Sequence, residues 1–158
     1  MNDPLCFCNS GHSFELCCKP YIHSIRRPET PEQLMRSRFS AYATKHFQYV
    51  LDTYTLTQRQ NLTLQVLSQD SDDTHWLRLD VLDTLTDDRA HTGEVEFVAY
   101  YRQNNVIYKM HERSKFCREE GQWRYDSGVL FKDGGVYKPQ RNDSCLCGSG
   151  RKFKKCCL

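Results

Sequence analysis

The sequence predicts an α+β fold in which helices pack on an antiparallel sheet, with a small cysteine module at each end. Three observations carry that reading. A proline-led start signal at Thr30-Pro31 opens a run with helical repeat. The repeat changes to two from His75 onward. The arrangement C-x-C-x8-C-C occurs twice, once near each end of the chain. Module and domain boundaries are therefore expected at 1–24, 25–138 and 139–158.

The first module holds Cys6, Cys8, Cys17 and Cys18, and the last holds Cys145, Cys147, Cys156 and Cys157. Two close pairs separated by a short loop can wrap one tetrahedral ion, and four soft ligands suit Zn2+. Bridges within C-x-C or C-C would be strained. Bridges across the loop would suit an exported protein, and Met1-Asn2-Asp3-Pro4 has neither the basic start nor the apolar run of a signal peptide. Two zinc sites and a cytoplasmic location are thus expected. Gly148-Ser149-Gly150 allows a tight turn whose N–H groups face the thiolates, and Ser149 can cap a short helix over 151–155. Asn9-Ser10-Gly11 stands in its place in the first copy, and Asn tolerates the left-handed backbone. Cys117, outside both quartets, reads as a core thiol.

In the middle segment, Thr30-Pro31-Glu32-Gln33 is a capping box. Met35, Phe39, Tyr42, Ala43, Phe47, Val50 and Tyr54 then recur at helical spacing, which predicts one long amphipathic helix to about Thr55. Thr57-Gln58-Arg59-Gln60 opens a shorter helix through Leu67, and 69–74 is an acidic, solvated loop. Strands follow at His75–Asp83, Glu94–Gln103, Val106–Arg118 and Gln122–Gly128, with turns at Asn104-Asn105 and Glu119-Glu120-Gly121.

The strand over 106–118 places Glu112 and Ser114 on the same face as Tyr108, Met110 and Phe116. A carboxylate in an apolar row needs a partner or a cavity. Arg36, about 50° from the centre of the helical stripe, is the expected partner, with His46 nearby and His75 at the mouth. Either a structural ion pair or a ligand pocket built on Arg36, His46, His75, Glu112 and Ser114 is compatible with this pattern. Trp123 and Tyr125 share a strand face and read as core. The sequence has no nucleophile-plus-base set, no phosphate loop and no paired catalytic carboxylates, so a non-catalytic role is expected.

At 158 residues and a net charge of +2, the chain can bury a core and has no overall field marking it for nucleic acid or membranes. No stretch approaches a membrane span. Charge is nevertheless uneven. Lys138, Arg141, Arg151, Lys152, Lys154 and Lys155 face only Asp143 at the C-terminal end, whereas the first module has Lys19 against Asp3 and Glu15. Arg151, Lys152, Phe153, Lys154 and Lys155 are therefore the candidate docking residues for an acidic partner. Base stacking could draw only on Phe153 and Tyr137, which makes RNA the weaker candidate.

Both cysteine copies resemble the SEC-C motif, the small zinc-binding module at the C-terminus of the SecA translocation ATPase. "CLCGSGRKFKKCC" is close to ideal, and "CFCNSGHSFELCC" departs at Asn9. The whole order resembles the YchJ family through "LMRSRFSAYATKHFQYVLDTY", "HWLRLDV", "GEVEFVAYY", "HERSKF" and "QWRYDSG". That resemblance implies an NTF2-like cone, helices on a curved sheet, flanked by two SEC-C modules, in a fold that hosts many unrelated functions. The leading expectation is a zinc-binding adaptor whose C-terminal module docks on a chaperone, a secretion component or ribosome-associated machinery. An enzyme or small-ligand binder using the cone, and an RNA-binding accessory factor, are the rivals.

Overall fold

The computed structural model describes residues 3–157; Met1, Asn2 and Leu158, which the sequence reading assigned to the two modules, lie outside the described residues. After the first cysteine module, a short helix α1 (Lys19–Ile22) leads to α2 (Pro31–Ala43). Thr30 caps α2 by accepting the Gln33 N–H at 3.1 Å. The expected single helix to residue 55 is broken. Lys45 takes a left-handed φ of 62°, His46 N donates to Ala41 O at 2.8 Å and Lys45 N to Tyr42 O at 3.2 Å. This is a Schellman closure with lysine where glycine is usual, so no glycine marked it in the sequence. Helix α3 (Phe47–Asp52) then turns back onto α2.

The second helix signal also resolves differently. Thr55 caps α4 (Leu56–Arg59) and Thr63 caps a separate α5 (Leu64–Ser68), because Asn61 and Leu62 lie in a turn between them. Four strands follow as an antiparallel meander: β1 (Thr74–Asp87), β2 (Thr92–Gln103), β3 (Val106–Glu119) and β4 (Gln122–Leu130). Both tight hairpins have two consecutive positive-φ residues, Asn104-Asn105 and Glu120-Gly121, which matches the twist of the flanking strands. A two-residue strand β5 (Gly135–Val136) pairs with Tyr108 and Lys109 beyond the end of β4.

Register shifts bend the sheet where it meets the helices. On β1 they fall between Trp76 and Arg78 and between Val81 and Asp83, leaving Leu77 and Leu82 as the extra residues. Opposite Lys115-Phe116 the extra residue is Asp126 on β4. The main core lies between α2 and the inner sheet face, around Leu34, Phe39, Leu79, Val95, Phe97 and Phe116. Trp123 joins it and donates its indole N–H to Glu29 O at 3.1 Å. Cys117 does not belong to this core. Strand alternation turns it to the face opposite Phe116, where it is half-buried. Among the described residues no helix is long and apolar enough to cross a membrane.

Candidate metal centres and an inner cavity

Each quartet gathers four Sγ atoms within 4.8 Å of one another. Cys8–Cys17 and Cys17–Cys18 are 3.6 and 3.9 Å apart; Cys147–Cys156 and Cys156–Cys157 are 3.4 and 3.8 Å apart. These distances lie far beyond a disulfide bond of ~2.05 Å. The backbone repeats almost bond for bond. Cys6 N donates to His12 O and Cys145 N to Arg151 O, both at 2.8 Å. Asn9 (φ 60°) and Gly148 (φ 79°) both take the left-handed turn, so Asn serves there as the sequence suggested. Ser10 and Ser149 each place a hydroxyl 3.2 Å from a sulfur, Cys17 and Cys156 respectively. Instead of capping an α-helix over 151–155, Ser149 accepts the Arg151 N–H, and the segment forms one short 3-10 turn, Phe153–Lys155.

The protonation balance within each quartet fits a cation. Neighbouring Cys18 and Cys6 draw the Cys8 thiol far below the ordinary range, while Cys6 and Cys8 push Cys18 far above it. In the other copy the Ser149 hydroxyl brings Cys147 to about 6, and Cys145 pushes Cys157 to about 12. Four sulfurs this close cannot all hold negative charge unless a positive ion stands among them. Both clusters are therefore competent to bind a metal ion.

Their surroundings differ. Cys6, Cys8 and Cys18 belong to the main core cluster with Leu34 and Phe39, and Arg36 donates to Cys8 O at 2.7 Å while pairing with Glu32. The C-terminal cluster exposes Cys147 and Cys157 and lies at the outer face of the sheet, where Leu146 and Phe153, both buried, line one cleft with Leu77 and Ile107. Arg151, Lys152, Lys154 and Lys155 are exposed, but Phe153 is only 8% exposed. Phe153 thus leaves the docking set: its ring is the anchor of the module. Tyr137, half-buried against Tyr100 at 5.0 Å, is likewise engaged.

The expected pocket set separates as well. Glu112 and Ser114 are buried together, with Ser114 Oγ donating to Glu112 Oε1 at 2.7 Å. Arg36 does not meet them, because it is turned toward the first cysteine module. His46 caps the break after α2, bonded to Thr44 Oγ1 at 2.7 Å and set edge-on to His23. His75 is exposed, and its neighbour Trp76 is the residue that faces inward.

The arginine at the cavity is Arg38, 4% exposed. Its Nη1 donates to Val50 O at 2.9 Å and Thr53 Oγ1 at 2.7 Å, and its guanidinium lies 4.3 Å over Tyr54 and 4.6 Å over Tyr125. Segment 53–55 positions Tyr54 by pairing with β4: Thr55 N donates to Tyr125 O and Tyr125 N to Thr53 O. Tyr125 Oη donates to Glu112 Oε1 at 2.7 Å. Burial, then the Glu112 carboxyl, hold the Tyr125 phenol well above the usual tyrosine range, so it remains a donor. The cavity measures about 270 Å³ and also meets Met35, Phe39, Tyr42, Trp76, Phe97 and Met110. Arg38 was legible in principle, one turn on from Leu34 and Met35. Summing the apolar repeat through the break at Lys45 displaced the stripe toward Arg36.

Residues 30–128 match the family model for the YchJ middle NTF2-like domain, and residues 141–158 match the SEC-C motif. A UPF0225 protein of Shewanella sp. (strain MR-4) is 39% identical, with 99% of this chain and 98% of the relative aligned. The chain belongs to the YchJ family. Another UPF0225 member, from Serratia proteamaculans (strain 568), is 37% identical over 97% of both chains. Among solved structures, a SEC-C motif-containing protein from Rhodopseudomonas palustris has a TM-score of 0.75 at 33% identity, covering 84% of this chain and 100% of that one. A SEC-C motif-containing protein from Psychrobacter arcticus has a TM-score of 0.70 at 25% identity, covering 99% and 96%. The family's NTF2-like middle and its SEC-C module are thus both present in this chain.

Proposed function

We propose that this YchJ-family protein is a non-catalytic, zinc-binding adaptor. Its N-terminal cysteine site fastens the fold, and its C-terminal module presents a basic docking surface to an acidic protein partner. The observation that carries this reading is the contrast between the two sites: one quartet is sunk in the core, whereas the other sits outside with Arg151, Lys152, Lys154 and Lys155 in solvent. Zinc is favoured by the all-thiolate ligand set and by sulfur spacings near the edge of about 3.8 Å that four Zn–S bonds of ~2.3 Å produce. A protein partner is favoured over RNA because Phe153 and Tyr137 are engaged within the fold, leaving the module without a stacking platform. By analogy with the SecA module, the partner is sought among chaperones, secretion components and ribosome-associated proteins.

Metal analysis of freshly reduced protein should return about two zinc ions per chain, one for each four-cysteine site; metal-free protein would end the zinc reading. Affinity purification then compares the full chain with Lys152→Glu/Lys154→Glu/Lys155→Glu. A partner retained equally by both would rule out the basic surface as its dock.

A further inference from the structure

The inner cavity carries an inference beyond metal binding and independent of it. Its walls are apolar and aromatic: Met35, Phe39, Tyr42, Trp76, Phe97 and Met110. Its polar end is formed by two charged side chains, each at least nine-tenths buried, Arg38 at 4% and Glu112 at 9% exposure. They do not satisfy each other, since no N···O contact within 4.0 Å joins them. Each makes its hydrogen bonds through one atom. Glu112 Oε1 accepts from Ser114 and Tyr125, and Arg38 Nη1 donates to Val50 O and Thr53 Oγ1. Glu112 Oε2, Arg38 Nε and Arg38 Nη2 have no hydrogen-bond partner among the described residues and are open to the cavity space, not sealed in packing. They keep capacity for one donor and one acceptor of a guest. The cavity opens to solvent, so a guest that supplies both groups replaces the water that otherwise meets these atoms.

We infer that this cavity is a binding site for an uncharged, flat aromatic amide or lactam, held by Glu112 and Arg38. The volume of about 270 Å³ lies just below the range of drug-sized sites, which suits one or two rings. The walls set the body of the ligand: Trp76 stands edge-on to Phe39 at 5.6 Å and tilted to Tyr42 at 5.9 Å, surfaces that favour a flat π-system. The polar end sets its edge. Oε2 takes an N–H donor, and the free guanidinium hydrogens take a carbonyl oxygen. Net charge is excluded by the pairing of opposite signs: a cation drawn to Glu112 meets Arg38, and an anion drawn to Arg38 meets Glu112.

The test uses the full chain with methyl-labelled methionine, which reports on Met35 and Met110, and three matched probes: oxindole, N-methyloxindole and indane. Oxindole should move the Met35 and Met110 signals and saturate near ~1 mM. N-methyloxindole, lacking the N–H, should bind roughly tenfold more weakly. In Glu112→Gln, Ser114 and Tyr125 hold the amide oxygen at the Oε1 position, so the NH2 replaces Oε2 and faces the lactam donor. Oxindole should then weaken roughly tenfold while N-methyloxindole does not. Equal binding of oxindole and its N-methyl analogue by the wild-type protein would overturn the inference. So would Met35 and Met110 signals that stay fixed up to the solubility limit of oxindole. Both criteria hold even where Glu112→Gln fails to fold.

Discussion

The Glu112 carboxylate has room between β3 and β4 only because position 128 lacks a side chain. Gly128 lies opposite Ser114, and a Cβ there would run into the Glu112 carboxylate and press within 2.8 Å of the Tyr125 hydroxyl. Gly128→Ala should therefore destabilise the fold by about 1–3 kcal/mol through overpacking. Denaturant unfolding measures it; a loss under about 0.5 kcal/mol, the range of an ordinary surface change, would show that Glu112 swings aside freely. Arg38 belongs to the same scale. Its position between two tyrosine rings depends on Tyr54 and Tyr125 arriving from segments far apart in the sequence. No pattern local to α2 could announce that meeting.

The outer face of the sheet is organised around β3 and the segment that folds back over it after β4. His111 bonds Glu96 through Nε2 and Asp133 through Nδ1, both at 2.8 Å, and stacks on Phe131 at 4.0 Å. Lys109 and Arg113 flank it, paired with Asp133 and with Glu94, Glu96 and Asp83. Burial works against the imidazolium, but the bonds to Glu96 and Asp133 outweigh it and raise the His111 pKa above 6.5. Since the folded value lies above the unfolded one, this contribution to stability is full below 6.5 and declines as pH rises through the raised value. Thermal unfolding at about pH 6 and about pH 8 should show the decline, and His111→Gln should flatten it. An unchanged slope in that variant would assign the effect elsewhere. At this scale the four strands were readable from their alternation, and both tight turns from Asn-Asn and Glu-Gly. The Lys45 break was not readable, because the apolar repeat continues through it.

Across the whole molecule, two nearly identical cysteine turns occupy opposite energetic positions. The first buries Cys8 completely and packs under α2; the second lies at the outer sheet face, where Leu146 and Phe153 are buried. The buried quartet ties loss of its metal to the stability of the main core, whereas the outer quartet is tied only to its own module. Cys8→Ser should cost roughly 4 kcal/mol, the range typical of a lost metal site, and lower the melting temperature of the whole domain. Cys147→Ser should remove one metal equivalent and leave the main transition in place. Calorimetry with metal analysis on both variants distinguishes the two modules; equal loss of stability would refute the division.

The sequence by itself determined the α+β class, the two metal-competent quartets, the four strands and the shared strand face of Glu112 and Ser114. Each of these rests on spacing along one segment, which covalent geometry and side-chain periodicity translate directly into space. Only the tertiary structure decided that Arg38 instead of Arg36 faces the cavity, that Phe153 is an anchor and that one quartet is core while its twin is periphery. Those outcomes depend on which surfaces cover a residue from outside its own segment, and packing between distant segments leaves no local period to read.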